Sequence, residues 1–327
     1  MNSLNNWRTI TVKINKNNAE MNEEKFIKAL ENNSISELQT IPKSDLHNHA
    51  GRGGNLSDIE NMLNVKIPRL TEPFADLMEM QAWFDEQVKA HFPDKNGFIQ
   101  RIATAFKQAK ADNISVLAMS YSITDITYLG GIDIFAAVMN GLHKTFAPET
   151  KFLPDLFVTS PNDLTQLDEI FNANWFKGID IANYTNVISM DAIKEICRKA
   201  RKKGLITKAH IGEFGGADDV MHYAEELELD QIQHGIAVVN TPQIMKWLAK
   251  NKVQLNVCPT SNILLGNAKS YETHPIRTLF DYGIPVTINT DDLLIFDSTV
   301  SQEYLKLYNA GLMTAKELNI IREIGLT

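Results

Sequence analysis

Cysteine is scarce in this chain of 327 residues, which has only Cys197 and Cys258. Two cysteines cannot build a disulfide framework, and such sparing use suits a reducing compartment. Excess positive charge is missing too. The 32 Lys and Arg face 40 Asp and Glu, a net charge of -8, so the electrostatic footprint of a non-specific nucleic-acid binder is lacking. No apolar run approaches the ~20 residues that span a bilayer. The opening stretch, Met1 to Asn18, is polar and lacks the apolar core of a secretory signal. These absences lead us to expect a cytoplasmic protein with no nucleic-acid partner and no membrane. Phosphate-binding signatures are missing as well. Gly51-Arg52-Gly53-Gly54-Asn55-Leu56 fails the G-x-G-x-x-G pattern, and there is no P-loop. No Pro/Gly/Ser-rich linker divides the chain, so 1–327 reads as a single domain.

What remains is ordinary globular material, 44% hydrophobic and 22% charged. From residue 42 onward, short β-rich segments alternate with amphipathic helical ones. The expected strands are Ser44–His49, Ile114–Ser120, Phe152–Thr159, Gly178–Ala182, Leu205–His210, Gln231–His234, Val253–Cys258 and Pro285–Asn289. Between them, Ser189–Lys203 carries Ile193, Ile196, Cys197 and Ala200 as one apolar stripe at helical spacing. Ser189 is a good N-cap there, and Gly204 stops the helix after a basic last turn. Asp218–Glu228 and Pro275–Tyr282 repeat the pattern, and Thr241-Pro242 reads as N-cap then first turn. Shorter helices are expected around Glu23–Asn32 and Thr314–Ile324, the latter close to the last residue, Thr327.

Eight strands alternating with helices imply parallel βα units, which close into a (β/α)8 TIM barrel. A doubly wound open sheet is the rival, without its usual glycine signature. Residues 1–41 read as an N-terminal extension. Residues 50–113 exceed what one connecting helix needs and read as a helical insertion able to form a lid.

The chemistry-bearing residues cluster at strand ends. His47 and His49 are two apart on the first strand, so both point to one face. His210 and His234 end two later strands, and Asp291 and Asp292 follow the last. In a barrel these ends converge on one face, where active sites form. Three neutral imidazoles and one carboxylate suit Zn²⁺ before Fe²⁺, Mn²⁺ or Co²⁺. Such an ion lowers the pKa of bound water towards ~7. Glu213, three residues after His210, is placed for general acid/base work or, more blandly, as a helix-start carboxylate.

The motifs LHNH (46–49), HIGE (210–213), HG (234–235), CPTSN (258–262) and NTDD (289–292) together resemble the adenosine deaminase family of metal-dependent amidohydrolases. The resemblance runs from about residue 42 to about residue 296. It implies a (β/α)8 barrel with one zinc held by His47, His49, His210 and Asp291. It makes Glu213 the acid that protonates purine N1 and His234 the group that orients and deprotonates the metal-bound water. Asp292 hydrogen-bonds purine N7, for which it must carry a proton. Gly212 and the 258–262 segment shape the mouth. The implied reaction is deamination of adenosine or 2′-deoxyadenosine. The alternatives are a relative acting on adenine, an N6-substituted adenine nucleotide or another aminopurine, and an inactive member that binds a nucleoside or a partner protein.

Three departures from the family pattern stand out. Deaminases acting on nucleosides usually continue as H-x-H-x-D-G, but here Gly51 occupies the acidic position that would meet the ribose. Asn183 stands where a glycine backbone N–H would meet purine N3, so a side chain is expected to crowd the site there. Members usually carry more helix near the C-terminus. Arg52 is either a contact for a phosphate or carboxylate or a surface arginine.

Other motifs are set aside. There is no C-x-x-C, which excludes the cytidine-type zinc deaminases, and no H-E-x-x-H of a zincin protease. Cys258 at a strand end reads as a small buried residue rather than a nucleophile. The basic run Arg198–Lys203 complements a helix C-terminus. His91, His143 and His222 read as structural or exposed, and His274 is ambiguous. Phe74, Leu77, Met78, Met80, Trp83 and Phe84 either line a purine pocket or pack the insertion.

Overall fold

The structure is a computed structural model and describes residues 16–70, 72–183 and 187–327. The eight expected strands are present, their ends within two residues of expectation. They are β1 (Lys43–His49), β2 (Ile114–Ser122), β3 (Lys151–Val158), β4 (Gly178–Ile181), β5 (Ile206–Ile211), β6 (Gln231–His234), β7 (Gln254–Val257) and β8 (Val286–Ile288). They form one sheet in chain order, every ladder parallel. A parallel bridge between Asn48 and Asp291 joins the end of β1 to the segment after β8. The architecture is the expected (β/α)8 TIM barrel.

Local chemistry accounts for the helices. In Met190–Lys202 the Ser189 Oγ accepts the Ala192 N–H at 3.3 Å, Lys199, Arg201 and Lys202 fill the last turn, and Ile193, Ile196, Cys197 and Ala200 are buried. Gly204 follows at φ +76°, a conformation that costs glycine little. One capping expectation differs. Thr241 makes no side-chain cap, and the helix Pro242–Asn251 starts on its proline alone.

The long first connection divides. Its last helix, Lys95–Ala111, puts Phe98, Ile102 and Phe106 into the main barrel core and is the barrel's own first helix. The extra material is therefore the stretch before it. Leu56, Ile59, Phe74, Met80 and Phe84 from that stretch build a second apolar core with Leu294, Ile295 and Phe296, which follow β8. This layer forms a roof on the strand-end face. In the N-terminal extension, the helix Lys16–Glu31 packs against the C-terminal helices, with Phe26 edge-on to Tyr304 at 5.2 Å. Among the described residues no helix is long and apolar enough to cross a membrane.

Candidate active site

Three strand ends deliver the expected donors to one point. His47 Nε2 lies 3.0 Å from His210 Nε2, and His210 Nε2 lies 3.3 Å from His49 Nε2. Asp291 Oδ1 is 3.5 Å from His47 Nε2 and 3.3 Å from His49 Nε2. Backbone geometry helps to aim them. Asp291 (φ +61°) and His234 (φ +66°) are non-glycine residues in the left-handed region, a strained choice that recurs at functional sites. The Asp291 N–H donates to the His47 carbonyl at 2.9 Å, which fixes the loop after β8 against β1.

The tautomers follow from what lies behind the rings. His210 Nδ1 is 2.9 Å from the Asp180 carboxylate, and His47 Nδ1 is 3.3 Å from the Asn256 carbonyl. Both partners only accept, so both Nδ1 atoms carry the proton. The Nε2 lone pairs then face each other and Asp291, an arrangement that calls for a cation. Burial alone would lower the His49 imidazole, but the Asp292 and Asp291 carboxylates outweigh it and raise it to about 9. The donors present therefore fit a divalent metal of the nitrogen- and oxygen-binding kind.

Sequence reasoning missed the layer that holds these donors. Asp180 also accepts from Ser120 Oγ at 3.0 Å and from Gln233 Nε2 at 3.2 Å. Burial opposes its charge, but His210, His47 and Lys208 outweigh that and hold the carboxyl below the usual range. Ser261 Oγ donates to Asp291 Oδ2 at 2.7 Å. The signal for Asp180 was a lone acid in the apolar strand Gly178–Ile181.

Glu213 and His234 sit beside the donors, both buried, with Glu213 Oε1 3.4 Å from His234 Nε2. Burial pushes the His234 imidazole down to about 3, so it is neutral at pH 7. Its Nδ1 meets the Asn262 amide at 3.1 Å. Cys258 is buried 3.3 Å from His47 Nδ1, and burial drives its thiol far above the ordinary range. It is the inert small residue expected.

Asp292 and Arg52 are paired, with Arg52 Nη1 donating to Asp292 Oδ2 at 2.8 Å. Arg52 also reaches Gln81 and lies over the Phe84 ring at 4.7 Å. It is neither a loose surface arginine nor free for a ligand. Asp292 Oδ1 is buried and has no partner among the described residues.

A cavity of about 390 Å³ opens above the cluster, within the usual range for a small-molecule site. Leu77, Met80 and Phe84 of the roof line it, as does Gly51. Phe74 and Trp83 pack within the roof, and Met78 is exposed. Two expected substrate contacts are not in the wall. Asn183 does not crowd the cavity, because its amide closes the next loop through the Ile188 backbone (2.9 and 3.0 Å) and Tyr223 Oη (3.2 Å). Gly212, at φ +73°, does not line the cavity either, and a Cβ there would stand 2.5 Å from Val220. Arg101 lines the cavity and was also missed in the sequence. Its signal was an arginine three residues after Phe98, on the buried face of Lys95–Ala111.

Of the remaining histidines, His91 and His222 are exposed, His143 bonds the Thr150 carbonyl at 2.8 Å, and His274 is buried.

Comparison with known proteins agrees with this geometry. A model of the family described as adenosine deaminase matches residues 136–325. A Treponema pallidum protein provisionally named adenosine/adenine deaminase is 28% identical over 286 residues, 86% of this chain and 96% of its own length. The fold matches an adenine deaminase from Arthrobacter aurescens, with a TM-score of 0.69 at 18% identity over 87% of this chain and 92% of that one. It also matches a zinc-bound amidohydrolase from Burkholderia ambifaria, with a TM-score of 0.70 at 22% identity over 88% of this chain and 85% of that one. Strand-end histidines, a buried acid pair and the family match over more than half of the sequence lead to one conclusion: the chain belongs to the adenosine deaminase family, hydrolases that cleave C–N bonds of aminopurines.

Proposed function

We propose that this chain replaces the C6 amino group of a 6-aminopurine with oxygen from water, releasing ammonia, and that the metal it uses is zinc. The observation that carries the reading is the convergence of three imidazole nitrogens and one carboxylate oxygen, all within 3.5 Å of a neighbour. His47, His49, His210 and Asp291 would hold the ion. Zinc bound there supplies a water acidic enough to act as nucleophile at neutral pH.

The chain's own side chains divide the rest of the work. Glu213 holds the proton that ring nitrogen N1 needs, which makes C6 electrophilic. His234, neutral by burial, accepts the proton that the attacking water gives up. A half-turn of the Asn262 amide, whose Oδ1 has no partner among the described residues, lets His234 Nδ1 donate and frees Nε2 as the base. Asp292 Oδ1 is the oxygen left to meet the base's N7 edge, a contact for which Asp292 must carry a proton because N7 only accepts. The finer reading, adenosine or 2′-deoxyadenosine, depends on the sugar side, where Gly51 stays in the wall and Asn183 has left it.

The test is product formation by zinc-loaded protein on adenosine, 2′-deoxyadenosine, AMP, N6-methyl-AMP, adenine and guanine, with Glu213→Gln as control. We expect turnover of at least one 6-aminopurine. Glu213→Gln should keep its metal and lose roughly 10²–10⁴-fold in kcat. A variant as active as the parent overturns the role of Glu213.

A further inference from the structure

Arg101 is 6% exposed, and only the more distant charges of Asp125 and Asp85 favour its positive form. Its Nε and Nη1 have no hydrogen-bond partner, and no carboxylate among the described residues lies within ion-pair distance. A buried guanidinium without a partner is costly. The guanidinium rests on Phe84 and Phe98, 5.1 and 5.7 Å from the ring centroids. Those contacts cover its faces and leave its N–H edge for something else. Burial also lowers it to about 10, still charged at neutral pH.

None of the acids nearby pairs with Arg101 directly, although Asp125 and Asp85 act on it from a distance. Asp292 takes Arg52, Asp85 takes Lys89 at 3.2 Å, and Asp125 accepts the Ser122 N–H at 3.2 Å. Gly51 explains the vacancy. A Cβ at residue 51 would stand 3.5 Å from Arg101 Nη2, so an aspartate there would reach the guanidinium. This is the position where H-x-H-x-D-G would place that acid, and this chain has glycine.

We propose that Arg101 receives an anionic group of the substrate, a 5′-phosphate, and that the chain acts on a 6-aminopurine nucleoside monophosphate in preference to the nucleoside. This rests on the deaminase reading and extends it to the sugar end. The phosphate supplies the charge that the missing residue-51 carboxylate would have supplied. Arg101 thereby ties substrate choice to Gly51.

Two measurements test it separately from the deaminase reading. In the first, kcat/KM is compared for AMP, N6-methyl-AMP and adenosine. The better monophosphate should exceed adenosine by about 100-fold or more. Arg101→Gln should cut that ratio by roughly 10–100-fold, chiefly through KM, with partial rescue in Arg101→Lys. Gly51→Asp should cut it as well, by pairing Arg101 internally. In the second, calorimetry on the metal-free protein compares IMP with inosine and inorganic phosphate. IMP should bind at least tenfold tighter than inosine, and Arg101→Gln should abolish the difference. If no aminopurine turns over but IMP keeps this advantage, the deaminase reading fails and the phosphate site stands. If adenosine turns over as well as the monophosphates and IMP binds no tighter than inosine, the phosphate site is overturned and the deaminase stands. Equal losses on all substrates in Arg101→Gln and Arg101→Lys, with Gly51→Asp neutral, make Arg101 merely structural. Gly51→Asp keeps the question answerable if Arg101→Gln does not fold.

Discussion

Asp180 stands one step removed from any ligand, yet it decides how His210 presents itself. Its carboxylate fixes the Nδ1 proton at 2.9 Å and is itself held by Ser120 and Gln233. Groups in this position orient the ligating ring and raise its basicity. Asp180→Asn keeps the shape and removes the charge. We expect it to weaken metal affinity by roughly 10–100-fold, read by competition with a chelator. Unchanged affinity would mean that His210 is oriented by packing alone. Asp180 was not legible as functional because a buried acid in a strand also reads as a core ion pair. His47, His49, His210 and Asp291 were legible because strand ends of one barrel must meet. Arg101 and Arg52 were not, because the fold alone brings Phe84 against both guanidiniums and Asp292 against Arg52.

At the scale of elements, the roof is a layer with its own apolar core. Phe74 is buried there against Trp83, and its N–H donates to the Leu264 carbonyl at 2.8 Å. Phe-to-Ala changes in a core cost about 3–5 kcal/mol, more than a small satellite core can absorb. Phe74→Ala should speed amide exchange across residues 56–92 while β1 to β8 keep their protection. Equal acceleration in the strands would show that roof and barrel open together. The barrel was readable in the sequence because its βα rhythm is local and repeated. The roof lacked such a rhythm, and the boundary between it and the helix Lys95–Ala111 depends on which core each residue enters. Thr241 makes no cap although its residue type suits one, because the bond depends on local geometry that residue type alone does not set.

Stability belongs to the whole molecule, and His274 gives it a pH dependence outside the active site. The ring is 1% exposed, accepts the Ile276 N–H at 3.2 Å through Nδ1, and leaves Nε2 without a partner. Burial pushes it down to about 3 from 6.5. Between those values the unfolded chain binds a proton that the folded one refuses, so stability is full above about 6.5 and falls as pH drops towards about 3. The loss amounts to about 2 kcal/mol at pH 5. Denaturant melts of the parent and of His274→Phe at pH 7 and pH 5 check this. The variant should lose less on acidification, and an identical loss would assign the acid sensitivity elsewhere.

The bridge between Asn48 and Asp291 has a consequence in time. It places the donor cluster on the seam where the first strand meets the last segment, more than two hundred residues apart along the chain. A polypeptide emerging from its N-terminus presents His47 and His49 early, but it cannot assemble the set until Asp291 has been made and the circle has shut. Such long-range pairing is slow to form. Tight metal capture by all four groups should therefore report the completed circle and not its parts, so that a stalled or half-made chain would hold no ion to misuse.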